Sequence, residues 1–227
     1  MKKILAAIDF NDLATAALAV AGDLAQRTGA ELTVLYADTF DPPAEFTQVE
    51  LPSVARALAA ERKNAEQELV QYAKAHVPAN VTWHAVVAEG LPGDAILAQS
   101  QRLGADLIVL GTHGRGAIQR LLVGSVAAAV IARSPVPVLT VRESAPASAS
   151  RTLLATPAAA AYATEVGSDL GMSVTAAAEG DDLAGRAAAE GFGMIVADGA
   201  AARNAMRTAR VPVITIPSEA RHGLLRR

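Results

Sequence analysis

Short apolar runs rich in branched residues alternate along the chain with longer stretches whose apolar positions recur at helical spacing. "KKILAAID", "ELTVLYA", "VTWHAVVAE", "ADLIVLG" and "VPVLTV" read as strands. Near-continuous apolarity in the first, second, fourth and fifth predicts strands covered on both faces. Between them, Leu13 to Arg27, roughly Ser53 to His76, Gly93 to Leu103 and Ser125 to Arg133 carry the helical period. This alternation predicts an α/β fold, a doubly wound and mainly parallel sheet of five strands.

The second of these helices is amphipathic. Val54, Leu58, Leu69 and Tyr72 can share a buried side, whereas "ERKNAEQE" reads as a solvated face. The stretch before it, "DTFDPPAEFTQVELP", has three prolines and no period, and reads as a loop or lid. After Val141 the composition changes to "RESAPASAS", a small-residue linker. Beyond it the opening pattern returns: "SRTLLATP" parallels "MKKILAAID", "SVTAAAEGDDLAGRAAAEGFGMIVADG" parallels "NVTWHAVVAEGLPGDAILAQSQRLGADLIVLG", and "RVPVITI" parallels "SPVPVLTV". We therefore expect a complete domain over residues 1–143, a linker over 144–150, a second, smaller α/β repeat over 151–218 and a basic tail over 219–227. The repeat is expected to lack the counterparts of "ELTVLYA" and of the long charged helix. Asp198 to Arg210 stands where the first half has a glycine loop, without its pattern.

Composition narrows the function. In 227 residues, 52% apolar, there is enough material to bury a real core. A net charge of -3 and 4% aromatics give neither the basic face nor the stacking platform that nucleic acid requires. There is no cysteine, so disulfides, thiolate metal sites and cysteine nucleophiles are excluded. "MKKILAAIDF" reads as a strand because Asp9, Asn11 and Asp12 interrupt its apolar run too early for a signal peptide. No stretch approaches the ~20 apolar residues of a membrane span. A cytoplasmic protein is expected, with no membrane partner. Trp83 and His84 are read as packing residues, and His113 and Arg120 as exposed loop positions.

The candidate chemistry lies in "LIVLGTHGRGAIQRLLVGSVAAAVIARS". About a dozen residues join a strand to a helix, where roughly two to six suffice. Gly111 leaves the strand, Gly114 follows three residues later, and Gly124 and Ser125 open the helix. Glycine permits positive φ and close backbone approach, so the turn can present bare amides to an anion. Ser125 suits an N-cap, and the helix N-terminus adds free amides and a positive dipole end. If the first strand lies beside the fourth, Asp9 and Gly111 end together at the crevice where the winding reverses. Arg115 suits a phosphate through its guanidinium fork. The P-loop lysine motif is absent, and "GRGAIQ" breaks G-x-G-x-x-G at its last glycine.

"GTHGRGAIQRLLVGSVAAAVIARSPVPVLTV" closely resembles the universal stress protein family, whose nucleotide-binding members carry G-2x-G-9x-G-[ST] before a "PVLVV"-like fifth strand. "ILAAIDFNDLATAAL" is similar to the family's first strand and helix. The resemblance spans Met1 to Arg142 well and Arg151 to Pro217 as a reduced copy, a tandem form with a degenerate second domain. It implies a Rossmann-like sheet, of the adenine nucleotide alpha hydrolase-like kind, that binds ATP. Carried over residue by residue, it implies Ala7, Ile8 and Asp9 at the first strand end and Ala37 at the second. Leu110 and Gly111 fall at the fourth, Gly114 on the turn, and Gly124, Ser125 and Val126 at the triphosphate-facing helix start. Asn11 stands where the family often has Ser, and Ala7 where some members have Pro. Mg²⁺ can accompany the triphosphate, with Asp9 the nearest carboxylate.

Three functions follow as expectations: an ATP-binding regulatory protein, a slow ATP hydrolase, or an interaction module with an empty pocket. The second is less well supported, because no base to position water is identifiable. The second repeat is expected to bind no nucleotide and to partner the first. Family members commonly dimerise through the fifth strand. Here "VPVLTV" and "VPVITI" can pair within one chain as a pseudo-dimer or between chains as a homodimer, relieving two exposed edges.

Overall fold

The computed structural model describes residues 1–38, 51–112, 123–142 and 150–217. The first apolar run becomes β1 (Lys3–Ile8), buried at every position after Lys3. It leads into α1 (Asp12–Thr28), whose buried stripe of Ala14, Ala17, Leu18, Ala21, Leu24 and Ala25 is small enough to lie close on the sheet. Gly29, in the left-handed region at φ 68°, ends the helix by donating its N–H to the Ala25 carbonyl. There follow β2 (Glu31–Asp38), α2 (Leu51–His76), β3 (Trp83–Glu89), α3 (Pro92–Leu103), β4 (Leu107–Gly111), α4 (Ser125–Arg133) and β5 (Val138–Val141). The second half adds β6 (Thr152–Ala155), α5 (Ala160–Leu170), β7 (Ser173–Ala176), α6 (Leu183–Glu190), β8 (Met194–Asp198), α7 (Gly199–Thr208) and β9 (Val213–Ile216).

The nine strands among the described residues form one sheet in the order β3-β2-β1-β4-β5-β9-β8-β6-β7. Every pairing is parallel except β5 with β9, which run antiparallel with Leu139 opposite Ile214. The two fifth-strand-like segments thus pair inside one chain. Each half is doubly wound, and the winding reverses between β1 and β4 and again between β6 and β8.

Residue alternation along the strands divides the core by face. One face is a single layer: Ile4, Leu107, Leu139, Leu153, Val196 and Ile214 belong to one apolar cluster that spans both halves under α1 and α5. The other face carries two cores, one with Leu5, Ile108 and Val138 and one with Leu154, Ile195 and Val213. On the continuous face, Arg27 donates to the Leu170 carbonyl, and the amino terminus meets Asp169 at 2.6 Å.

The structure departs from the sequence reading in four places. β7 pairs directly with β6, in the place β2 holds beside β1, although its residues parallel β3. With one strand and helix missing, α5 returns the chain to the adjacent position, so the outermost strand position is the one lost. Within Asp198 to Arg210, where the first half has its glycine loop, α7 starts directly at the end of β8 with Asp198 as its N-cap. His84 is exposed rather than packed, 3.0 Å from the Glu31 carboxylate, while Trp83 is half-buried against the core. Leu69 of α2 is buried, whereas Val54 and Leu58 are only partly so. The predicted loop over 38–52 lies largely outside the described residues, as do most of the linker and the tail; its last two residues already belong to α2.

Candidate functional site

β1 ends at Ile8, and the next three residues shape the entrance to α1. Phe10 has φ 60°, and it alone among the described non-glycine residues lies in the left-handed region. Such a conformation costs about 1–3 kcal/mol and persists only where the surroundings hold it. Here the holding is aromatic: the Phe10 ring lies 4.8 Å from Tyr36 and 5.2 Å, edge-on, from Tyr72. The Tyr72 hydroxyl is in turn 2.5 Å from Thr15 on α1. Burial pushes the Tyr72 phenol above its ordinary pKa, partly offset by the Thr15 hydrogen bond.

This turn frees Asn11 to cap α1. Its Oδ1 accepts from the Ala14 N–H at 2.7 Å, and its Nδ2 donates to Asp9 Oδ2 at 3.0 Å. Asp9, half-buried, is therefore aimed by the helix cap and lies just past the end of β1. Beside it, Ala7 pairs with Leu110 of β4 on one side, and Ile8 with Tyr36 of β2 on the other. Ala37 follows Tyr36 at the end of β2. Ala7, Ile8, Asp9, Ala37, Leu110 and Gly111 consequently line up across three adjacent strand ends.

Gly111 serves a close approach rather than a positive φ. A Cβ there would stand 3.1 Å from Leu13 Cβ and 3.3 Å from the Leu13 carbonyl carbon. Next along, Thr112 is buried; its N–H donates to the Val141 carbonyl at 2.9 Å, and its carbonyl accepts from the Gly124 N–H at 2.6 Å. The two ends of the glycine loop are thus clasped, bringing the start of α4 to the end of β4. Gly124, not Ser125, is the N-cap, with φ -59° and ψ 154° and no side-chain capping bond. Ser125 is the first helical residue, and Ser125 and Val126 are exposed. The first amides of α4 have no partner within the helix, and the positive end of its dipole opens to solvent there. Gly114 and Arg115, with His113 and Arg120, lie outside the described residues.

An anionic ligand suits this end of the sheet: helix amides and backbone from the loop ends on one side, a fixed carboxylate and strand backbone on the other. Asp9 can accept from a sugar hydroxyl or join a cation already bound to phosphate. No cluster of three His, Cys, Asp or Glu occurs among the described residues. The equivalent strand ends of the second half are tied to each other by their own residues. Thr156, after β6, donates to Asp198 at the end of β8 at 3.1 Å, and α7 starts without an intervening loop.

These features define a doubly wound α/β protein whose first switch point lies between β1 and β4. The family model described as the universal stress protein family matches residues 1–142, and the chain belongs to that family. A universal stress protein of Thermus aquaticus is 38% identical over 142 residues, 62% of this chain and 98% of that one. The solved UspA of Lactobacillus plantarum is 30% identical and covers 62% of this chain and 97% of its own, with TM-score 0.50. A universal stress protein structure from Archaeoglobus fulgidus, 15% identical, shares the fold over 94% of this chain and 97% of its own, with TM-score 0.68.

The sequence left two contributors to this site without emphasis. Phe10 in an αL turn has no local signature, because its partners come from β2 and α2. Thr112 reads as an ordinary loop residue, and only the fold shows its backbone joining β5, β4 and α4. No helix among the described residues is long and apolar enough to cross a membrane.

Proposed function

We propose that this chain is an ATP-binding regulatory universal stress protein, holding the nucleotide across the ends of β1 and β4 and under the start of α4. The clasp between Gly124 and Thr112 carries this reading, because it delivers the α4 amides to the strand end beside Asp9. Asp9 and the backbone of Ala7 and Ile8 would face the nucleoside, with Ala37 backbone beside the adenine. Leu110 and Gly111 would border the phosphates, and Gly124, Ser125 and Val126 would meet them, with Gly114 and Arg115 contributing from the loop. Any Mg²⁺ would be held chiefly by phosphate oxygens, with Asp9 as the protein carboxylate. Nucleotide binding would favour one state of the residues 111–124 loop, which partners read at the surface.

The second half, over residues 151–218, is proposed to be a shortened copy of the 1–143 domain that binds no nucleotide. The Thr156–Asp198 hydrogen bond in its crevice supports this reading. In its place it supplies β9 to cover the β5 edge, so that this edge needs no second chain, and in this reading the protein is cytoplasmic.

The experiment is to denature the freshly purified protein, identify released nucleotide by chromatography, and repeat it on Gly124→Trp. ATP from the wild type and none from the variant is expected, with cAMP, present in the solved complex of another universal stress protein, run as a standard. Accumulation of ADP on incubation would favour the hydrolase instead. Empty preparations that take up no Mg-ATP at millimolar concentration would leave the loop as a protein-binding surface.

A further inference from the structure

The two faces of the sheet treat the junction between β5 and β9 differently. On one face a single apolar layer crosses it under α1 and α5. On the other the core is split, and between α4 and α7 lies a cavity of about 810 Å³. Pockets that enclose small molecules span roughly 300–1,000 Å³. None of the residues assigned to the strand-end crevice lines this one.

Its walls differ in chemistry. Val123, Ile131 and Met206 give apolar surface, and Val123 and Ile131 lie at the margin where the two cores meet. Arg133, Arg203 and Arg207 also line the cavity. Arg133 is committed to Asp94, at 2.5 Å. Arg203 and Arg207, one turn apart on α7 and both exposed, have no carboxylate within ion-pair distance among the described residues. Like charges at that spacing work against the helix that carries them. The seam polar groups are already engaged: Ser134 donates to the Val136 carbonyl at 2.6 Å, and Thr215 meets Met206 Sδ at 3.6 Å. Two arginines with no carboxylate partner among the described residues, in a cavity that also has apolar lining, suit a phosphate head on an apolar body, since guanidinium binds phosphate bidentately.

We infer that the α4–α7 groove binds a small organic phosphate, its phosphate on Arg203 and Arg207 and its apolar body against Ile131 and Met206. The site belongs to both halves and exists only because β5 and β9 pair.

The test uses the full chain with isotope-labelled arginine, following the side-chain Nε–H resonances during titration with 1-naphthyl phosphate. Saturable shifts at Arg203 and Arg207 are expected. Inorganic phosphate and 1-naphthol are expected to bind at least about tenfold more weakly, each lacking half of the recognition. Arg203→Glu combined with Arg207→Glu should abolish binding, and the double Gln variant should weaken it with the fold retained by circular dichroism. Asp9→Ala, at a residue that does not line the groove, should bind naphthyl phosphate as the wild type does, so loss of the proposed ATP site leaves this result intact. The inference is overturned if millimolar naphthyl phosphate gives no saturable shift, if the double variants bind normally, or if Asp9→Ala alone abolishes binding. Tighter binding of 1-naphthoate than of the phosphate would overturn the assignment of the head group.

Discussion

Ile214→Ala tests whether the two halves fold as one unit. Ile214 is fully buried on β9, lies opposite Leu139 of β5, and belongs to the apolar layer shared by both halves. Three carbons are removed, worth about 2.4 kcal/mol at ~0.8 kcal/mol each. The cavity left behind raises the loss to about 3–4 kcal/mol. For a chain of this size each kcal/mol lowers Tm by about 2–4 °C, so a fall of about 6–16 °C is expected. The assay compares far-ultraviolet ellipticity with the fluorescence of Trp83, the single tryptophan, during urea and thermal unfolding. Trp83 sits on β3 at the far edge of the sheet, five strand positions from β9. One cooperative sheet requires both signals to shift together. A Trp83 midpoint that stays in place while the ellipticity midpoint falls would refute the reasoning, and the halves would then be separate folding units.

Asn11→Ala removes the α1 cap and one donor to Asp9; a loss of about 1 kcal/mol in urea denaturation is expected, together with weaker ATP binding by calorimetry. Gly111→Val drives a side chain into Leu13 and should cost about 1–3 kcal/mol, with the same denaturation assay as the check. Burial pushes the phenols of Tyr72 and Tyr162 above their ordinary value. A raised folded-state pKa gives stability that is complete below about pH 10 and declines above it, as tyrosines of the unfolded chain ionise first. Urea midpoints should therefore hold from pH 8 to 10 and fall at pH 11, and phenolate absorbance of the folded protein should lag that of free tyrosine. All tyrosines titrating as free ones would contradict this.

The first half was largely legible because its signals are local. Its five strands and four helices lie within a residue or two of where apolar period and punctuation put them, and Gly29 and Gly104 close helices in the left-handed conformation. The register of Ala7 with Leu110 confirms the expected neighbourhood of the first and fourth strands. What escaped depends on contacts distant in sequence. The φ of Phe10 is held by rings from β2 and α2. The cap is Gly124 rather than Ser125, and the Gly124 N–H is held by the Thr112 carbonyl from the far end of the loop. β7 carries the residue pattern of one strand and the position of another, since pattern records what was inherited and pairing records how far the connecting helix can reach. The α4–α7 groove has no motif at all, because Arg133, Arg203 and Arg207 meet only across the antiparallel junction.

The most direct measurement is amide chemical-shift mapping of the labelled 227-residue chain titrated with Mg-ATP. The expected result is saturable shifts centred on Asp9, Ala37, Gly111, Gly124, Ser125 and Val126, with the second-half crevice at Thr156 and Asp198 unmoved. Shifts centred on Thr156 and Asp198, or none at millimolar ATP, would contradict nucleotide binding at the first switch point.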